Sequence, residues 1–191
     1  KDFHLVHWDN LDKTMNSLPR MFQVWATKHI SGFCGTHEHL TRLYSSGSNR
    51  CQCCGTPNES TNHISRCPNP GRVKMFEETV TELTRWMKSR TGHPLLIQAI
   101  CAYLHDRGET RMTTICMDWP TLATFARDHD RLGWDNFIMG RICKSLFTVQ
   151  HEHLLQSSSK LSISSWACKF TQLILNITHR QWLYRNARIH I

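Results

Sequence analysis

Cys51-Gln52-Cys53-Cys54-Gly55-Thr56-Pro57-Asn58-Glu59-Ser60-Thr61-Asn62-His63-Ile64-Ser65-Arg66-Cys67 is the stretch on which the reading of this chain turns. Spaced as Cys51-x2-Cys54-x8-His63-x3-Cys67, it has the form of a four-ligand metal clip. Structural zinc takes four nitrogen or sulfur donors in a tetrahedron. A Cys-x2-Cys turn places two thiolates along one edge. A His-x3-Cys pair on a helical turn places two more donors on one face, and the intervening residues let the chain fold back. Gly55, directly after Cys54, allows the positive φ that turns backbone amides toward the sulfurs. Cys53 is the alternative to Cys51 or Cys54. The x2 spacing with its following glycine favours Cys51, Cys54, His63 and Cys67 and leaves Cys53 off the metal. The expected cofactor is one structural Zn2+, because four filled positions leave no place for an activated water.

The competing reading is a cysteine-rich loop without metal. It is disfavoured by the polar run Arg50-Cys51-Gln52-Cys53-Cys54, where unpaired buried thiols have no reason to cluster. Three thiolates, a neutral imidazole and Zn2+ leave one net negative charge. Arg50, Arg66, Arg72 and Lys74 flank the clip, where they can offset that charge and reach phosphates. A second grouping, Cys34-x2-His37-x-His39, has poor spacing and no evident fourth ligand. Cys34 follows an apolar helix, and His37 and His39 read as surface residues or nucleic-acid contacts.

Outward from the clip the pattern is helical. Asp9-Asn10-Leu11-Asp12 offers cap chemistry for a first helix that Pro19 stops, and a second runs from about Arg20 to Ile30. A Gly/Ser loop at 45–50 leads into the clip, and Pro68-Asn69-Pro70-Gly71 closes it. Val73, Phe76, Val80, Leu83 and Met87 step by three and four, the clearest helical stripe in the chain. Thr91-Gly92-His93-Pro94 breaks it, and Pro94 suits the first turn of the next helix, striped by Leu95, Leu96, Ala99, Ile100, Tyr103 and Leu104. Residues 106–110 read as a turn. Pro120 opens a short helix to about His129, with Asp128 and Asp130 as solvated charge at its end. A long helix is expected from about Asn136 to Leu155, carrying Gly140 at a cost of about 1 kcal/mol that a close helix contact would explain. After a serine-rich break, a last helix presents Trp166, Phe170, Leu173, Ile177 and Tyr184 on one face. Nothing alternates like a strand, a small hairpin at the clip excepted. The expected fold class is all-α: an irregular helical bundle with an inserted CCHC zinc clip. Its segments are N-terminal helices over 1–45, the clip over 46–72 and a C-terminal helical region over 73–191, forming one compact unit.

Composition narrows the partners. The chain has 191 residues, 40% of them hydrophobic, with a formal net charge of +8. That length supports a core, and that charge favours polyanions, nucleic acid above all. No apolar run approaches the roughly 18 residues of a membrane span. Nine cysteines, most of them scattered singly, suit a reducing compartment with one local metal site rather than a disulfide framework. An intracellular location, nuclear or cytoplasmic, is therefore expected. A chain that opens at Lys1 without a signal segment is expected to be a piece of a longer polypeptide. Near the C-terminus Arg185 and Arg188, i and i+3 neighbours on one helix, form a further candidate phosphate-facing pair.

Several of these stretches resemble a known family. They are Arg20-Met21-Phe22-Gln23-Val24-Trp25-Ala26-Thr27-Lys28-His29, Gly32-Phe33-Cys34-Gly35-Thr36, the clip with Glu59-Ser60, Gly133-Trp134-Asp135-Asn136-Phe137-Ile138-Met139-Gly140-Arg141, and Gln181-Trp182-Leu183-Tyr184-Arg185-Asn186-x3-His190. Together they resemble the zinc-binding region downstream of the polymerase domain in non-LTR (LINE-like) retrotransposon reverse transcriptases, of the algal retroelement type. The resemblance covers most of the chain and is weakest between about Lys88 and Pro120. It implies a module that helps hold template RNA or target DNA beside an upstream reverse transcriptase domain, with Cys51, Cys54, His63 and Cys67 as metal ligands. Two departures are the lack of any polymerase motif and the extra Cys53.

Catalysis by this stretch itself is not expected. A restriction-like endonuclease needs a Pro-Asp followed by a second carboxylate and a lysine, and no Pro-Asp occurs. His37-Glu38-His39 lacks the i, i+4 face of a zincin. The alternative functions are a zinc-stapled protein-interaction scaffold and a metal-dependent nuclease.

Overall fold

The computed structural model describes residues 2–44 and 47–189. Ser45 and Ser46 of the expected Gly/Ser loop, and His190 of the C-terminal motif, lie outside the described residues. The described chain is all-α. Its helices are α1 (Trp8–Ser17), α2 (Arg20–Ile30), α3 (His37–Tyr44), α4 (Thr61–Arg66), α5 (Pro70–Ser89), α6 (Pro94–His105), α7 (Met112–Ile115), α8 (Ala123–Ile138), α9 (Lys144–Gln156) and α10 (Ile163–Ile189), with short 3-10 turns at Phe3–Leu5 and Pro120–Leu122. No strand forms among the described residues. An isolated antiparallel bridge joins Val6 and Cys143.

The hub is α10, which packs against α1, α2, α4, α5, α8 and α9. Its buried positions include Trp166, Ala167, Phe170, Thr171, Ile174, Leu175, Ile177, Thr178, Gln181 and Arg185. At about 100° per residue these cover roughly half the helix circumference, a wider band than the single stripe expected. Leu173 and Tyr184 of that stripe are only half-buried. α10 runs antiparallel to α5. Gly71 approaches Tyr184 near one end, and Trp86 meets Trp166 at 5.2 Å between ring centroids near the other. The α5 stripe is buried at Phe76, Val80, Leu83 and Met87, so spacing alone correctly located its core face. The main core gathers α5, α6, α8, α9 and α10. A smaller cluster of Leu18, Trp25, Ala26, Cys34 and Leu175 pins the N-terminal helices to α10. Asn10 joins that seam by donating to Thr171 Oγ1 at 2.8 Å.

Three local expectations are corrected. The helix expected over Asn136–Leu155 is two helices. α8 ends at Ile138, and Gly140, at φ 76°, closes it: the Gly140 amide donates to Phe137 C=O at 2.9 Å and the Arg141 amide to Asn136 C=O at 2.9 Å. That is the Schellman pattern, in which a left-handed residue satisfies the last carbonyls. α8 also kinks at Gly133, so Trp134 and Asp135 fall inside it. The first helix is capped by His7, whose Nδ1 accepts from the Asn10 amide, and Asp9 lies within it. Asp128 and Asp130 are not idle charge. Asp130 accepts from the Met112 and Thr113 amides at 2.6 and 3.1 Å, capping α7, and Asp128 accepts from Ser145 Oγ at 2.7 Å. His129 between them is buried against Tyr103, Phe125 and Phe137.

Candidate metal centre

The ligand atoms of Cys51, Cys54, His63 and Cys67 all lie within 4.8 Å of one another. Cys51 Sγ and Cys67 Sγ are 3.9 Å apart, and Cys54 Sγ is 3.3 Å from His63 Nε2. Zinc–sulfur bonds of about 2.3 Å at tetrahedral angles separate two sulfurs by about 3.8 Å. These two pairs approximate opposite edges of one coordination tetrahedron, and the set suits one structural zinc ion.

Local sequence explains the convergence. Gly55, at φ 74°, reverses the chain; its amide donates to Cys51 C=O at 2.8 Å and the Cys51 amide to Thr56 C=O at 2.9 Å. This knuckle turns the Cys53 and Cys54 amides toward the Cys51 sulfur and the Thr56 amide toward Cys54. Ser60 caps α4 by accepting from the His63 amide at 3.2 Å. His63 and Cys67 then stand i, i+4 on one face of that short helix. Cys53 is not among the converging donors. Its carbonyl accepts from Asn69 Nδ2 at 2.9 Å, which ties the knuckle to the start of α5.

Without a metal, the surroundings favour the thiolate only at Cys54 and the neutral imidazole at His63. Burial pushes the Cys51 thiol up to about 12 and raises Cys67 as well. At Cys54 burial opposes ionisation, but the Thr56 hydroxyl and amide outweigh it and hold the thiol low. Burial, reinforced by the Arg72 charge, lowers His63, so its imidazole is neutral at pH 7, the form that ligates. Formation of the zinc–thiolate bonds, which displaces these protons, offsets the cost of ionising Cys51 and Cys67.

Arg72 supplies an independent test of fit. Its side chain is fully buried and no carboxylate pairs with it among the described residues. Nε donates to Gln181 Oε1 at 3.1 Å and Nη2 to Ile64 C=O at 2.5 Å, both neutral acceptors, while Nη1 has no partner. A buried cation without a counter-charge is costly. The charge of Arg72 acts on both His63 and Cys67, so a thiolate–zinc centre with one net negative charge is the counter-ion this guanidinium lacks. Arg107 adds to the wall, with Nη1 3.3 Å from Ser65 C=O and 3.4 Å from Cys67 C=O.

The loop between the ligand pairs is anchored by Glu59, whose side chain is fully buried. Arg185 on α10 grips its carboxylate, Nε at 3.0 Å from each oxygen and Nη2 at 2.6 Å from Oε2. The His37 amide donates to Oε2 at 3.0 Å, and His37 Nδ1 lies 2.8 Å from the same oxygen. Burial opposes ionisation of Glu59, yet Arg185 and the His37 amide hold its carboxyl below the usual range. Glu59 also uses its backbone, its amide donating to Asn49 C=O at 2.9 Å.

The basic candidates divide sharply. Arg72 and Arg185 are buried and internally bonded, so neither is a phosphate contact; helical periodicity and charge do not reveal a cation enlisted by the core. Arg66 is half-engaged: Nε and Nη2 donate to Arg107 C=O at 3.2 and 3.1 Å, and its guanidinium stacks 5.5 Å from the Trp134 ring. Arg50, Lys74 and Arg188 remain exposed. Arg50 Nη1 reaches Gly55 C=O at 3.0 Å, placing it on the knuckle. Arg188 lies beside Tyr184 and within electrostatic reach of Cys53. His37 is mostly buried against Glu59 rather than at the surface, and Cys34 is buried, its thiol raised to about 11 by desolvation. No second cluster of metal-capable side chains occurs among the described residues. Sequence reasoning missed Glu59 as an anchor, although its place between two ligand pairs was the available signal. None of the described helices is long and apolar enough to cross a membrane.

Comparison with protein-family models, with curated proteins and with solved structures found no match to this chain.

Proposed function

We propose that this chain is a non-catalytic, zinc-stabilised nucleic-acid-binding module that helps hold template RNA or target DNA at the C-terminal end of a retrotransposon reverse transcriptase-like protein. The observation that carries it is the exposed set Arg50, Lys74 and Arg188 around a metal loop whose own charge is already compensated from inside by Arg72. Cations not consumed by the site are free to meet phosphates, and a net charge of +8 favours polyanionic partners. The donor count supports a structural role for the zinc, since four protein ligands leave no coordination position for water. The partner polypeptide in this reading is the upstream reverse transcriptase domain. The test is a salt-titrated anisotropy assay with RNA and DNA. Binding should weaken as salt rises, and R50A/K74A/R188A should flatten the log–log salt slope by about 2 to 3 units at roughly 0.7–0.9 per phosphate contact. Binding that is indifferent to salt or to the triple variant overturns the reading.

A second reading, the zinc-stapled protein-interaction scaffold, has its own observation. Met21, Phe33, Leu43 and Tyr44 on and around α2 and α3 are each more than half exposed, at 81, 65, 60 and 70%. Zinc uptake together with no nucleic-acid binding by the wild type favours it.

A further inference from the structure

A cavity of about 330 Å³ lies between the C-terminal end of α5 and the first turn of α10, lined by residues that include Trp86, Arg90, Ser162, Ser165, Trp166 and Lys169. No carboxylate lines it. Arg90 is exposed and its guanidinium makes no ion pair or hydrogen bond among the described residues, while Lys169 Nζ meets only the neutral Gln172 side chain, at 2.9 Å. The cavity wall also contains the start of the longest helix in the molecule. Ser162 C=O accepts from the Trp166 amide at 2.9 Å, so the amide of Ser165, which lines the cavity, is one of the unsatisfied first-turn donors. That turn contains no acidic residue to offset the helix dipole. Trp166 is buried, and its indole N–H has no acceptor among the described residues. Trp86 is half-buried and meets Trp166 at 40° between ring planes, leaving part of an aromatic surface in the same cavity.

Two uncompensated cations, the free Ser165 amide and the hydroxyls of Ser162 and Ser165 define an anion site with phosphate chemistry. An aromatic surface beside them accepts a flat heterocycle. We infer that this cavity binds a nucleotide unit, its phosphate held by Arg90, Lys169 and the first turn of α10 and its base placed against Trp86. The site shares no residue with the metal loop. It rests on the nucleic-acid reading above only where the nucleotide belongs to a strand; a free nucleoside monophosphate is the other source of the same chemistry.

Calorimetric titration of the full chain at low salt with adenosine monophosphate, adenosine, inorganic phosphate and a single-stranded oligonucleotide tests this. The monophosphate should bind at least tenfold more tightly than adenosine or inorganic phosphate. R90A/K169A, which alters two exposed side chains, should weaken it at least tenfold, and W86A should weaken it severalfold while leaving the phosphate response unchanged. No monophosphate binding by the wild type, or binding untouched by R90A/K169A, overturns the site. Strand affinity that falls in R90A/K169A supports a strand as occupant. Strand affinity that persists while monophosphate binding is lost supports a free nucleotide instead. Strand binding that responds to R50A/K74A/R188A in a protein blind to the monophosphate overturns this site and leaves the metal-loop reading standing.

Discussion

Glu59 and Arg185 form a buried ion pair that fastens the metal loop to the central helix α10, with side-chain exposures of 0 and 4%. Three guanidinium–carboxylate contacts of 3.0 Å or less make it a near-bidentate clamp. One partner stands between the two ligand pairs of the clip, and the other stands far along the chain on the last helix. The metal loop is therefore held at both its zinc and its midpoint.

Removing one member of this pair leaves a buried charge alone. Arg185→Met should cost about 3–5 kcal/mol, read as a lower denaturation midpoint in zinc-loaded protein. Glu59→Gln/Arg185→Met should cost less than Arg185→Met alone. A double variant no more stable than the single one would show that the pair does not act as a unit.

Arg72 should control metal affinity without touching the metal. Arg72→Met should weaken zinc binding by about 10–100-fold, the usual range for outer-shell partners, measured by competition with a chromophoric chelator. Arg72→Lys, which keeps the charge, should recover part of that loss. Equal zinc affinity in Arg72→Met and wild type would dismiss the counter-ion role.

Two buried histidines make stability pH-dependent. Burial lowers His29 and His129 from 6.5 to about 4. Below pH 6.5 the unfolded chain takes up protons that the folded protein refuses. Their contribution is therefore complete above 6.5, is lost as pH falls toward 4, and levels off below that. Each is worth up to about 3 kcal/mol over this window. Equilibrium denaturation of His129→Phe should show a shallower loss between pH 6.5 and 4 than wild type, and an unchanged slope would count against a neutral buried imidazole there.

Gly140 should resist substitution on two grounds. Its φ of 76° disfavours any side chain, and an added Cβ would lie 3.3 Å from atoms of both Leu175 and Thr171 on α10. Gly140→Ala should destabilise by about 1–2 kcal/mol from the left-handed backbone alone, visible as a lowered thermal midpoint with zinc content unchanged. An unaltered midpoint would remove Gly140 as the stop of α8.

Local signals explain which parts of the architecture were legible in advance. The α5 stripe, Pro94 opening α6 and the Pro19 break are properties of a few adjacent residues, and they appear where periodicity and proline chemistry place them. The expected close contact at Gly140 is real, but the glycine ends a helix instead of interrupting one, because helical periodicity carries no information about the φ of a single residue. Asp130 looked like solvated charge because its partners, the Met112 and Thr113 amides, are distant in sequence.

The amino-acid order by itself determined the helical class and the metal donor set, since Cys-x2-Cys-Gly and His-x3-Cys are geometries of single turns. Tertiary structure alone decided what the arginines do. Arg72 and Arg185 carry the same charge and similar local settings to Arg50 and Arg188, yet two are buried and two exposed. Burying a guanidinium requires an acceptor or counter-charge brought from elsewhere in the chain, as Gln181 is for Arg72 and Glu59 for Arg185. Only the packing of α10 against α5 and the metal loop brings them together.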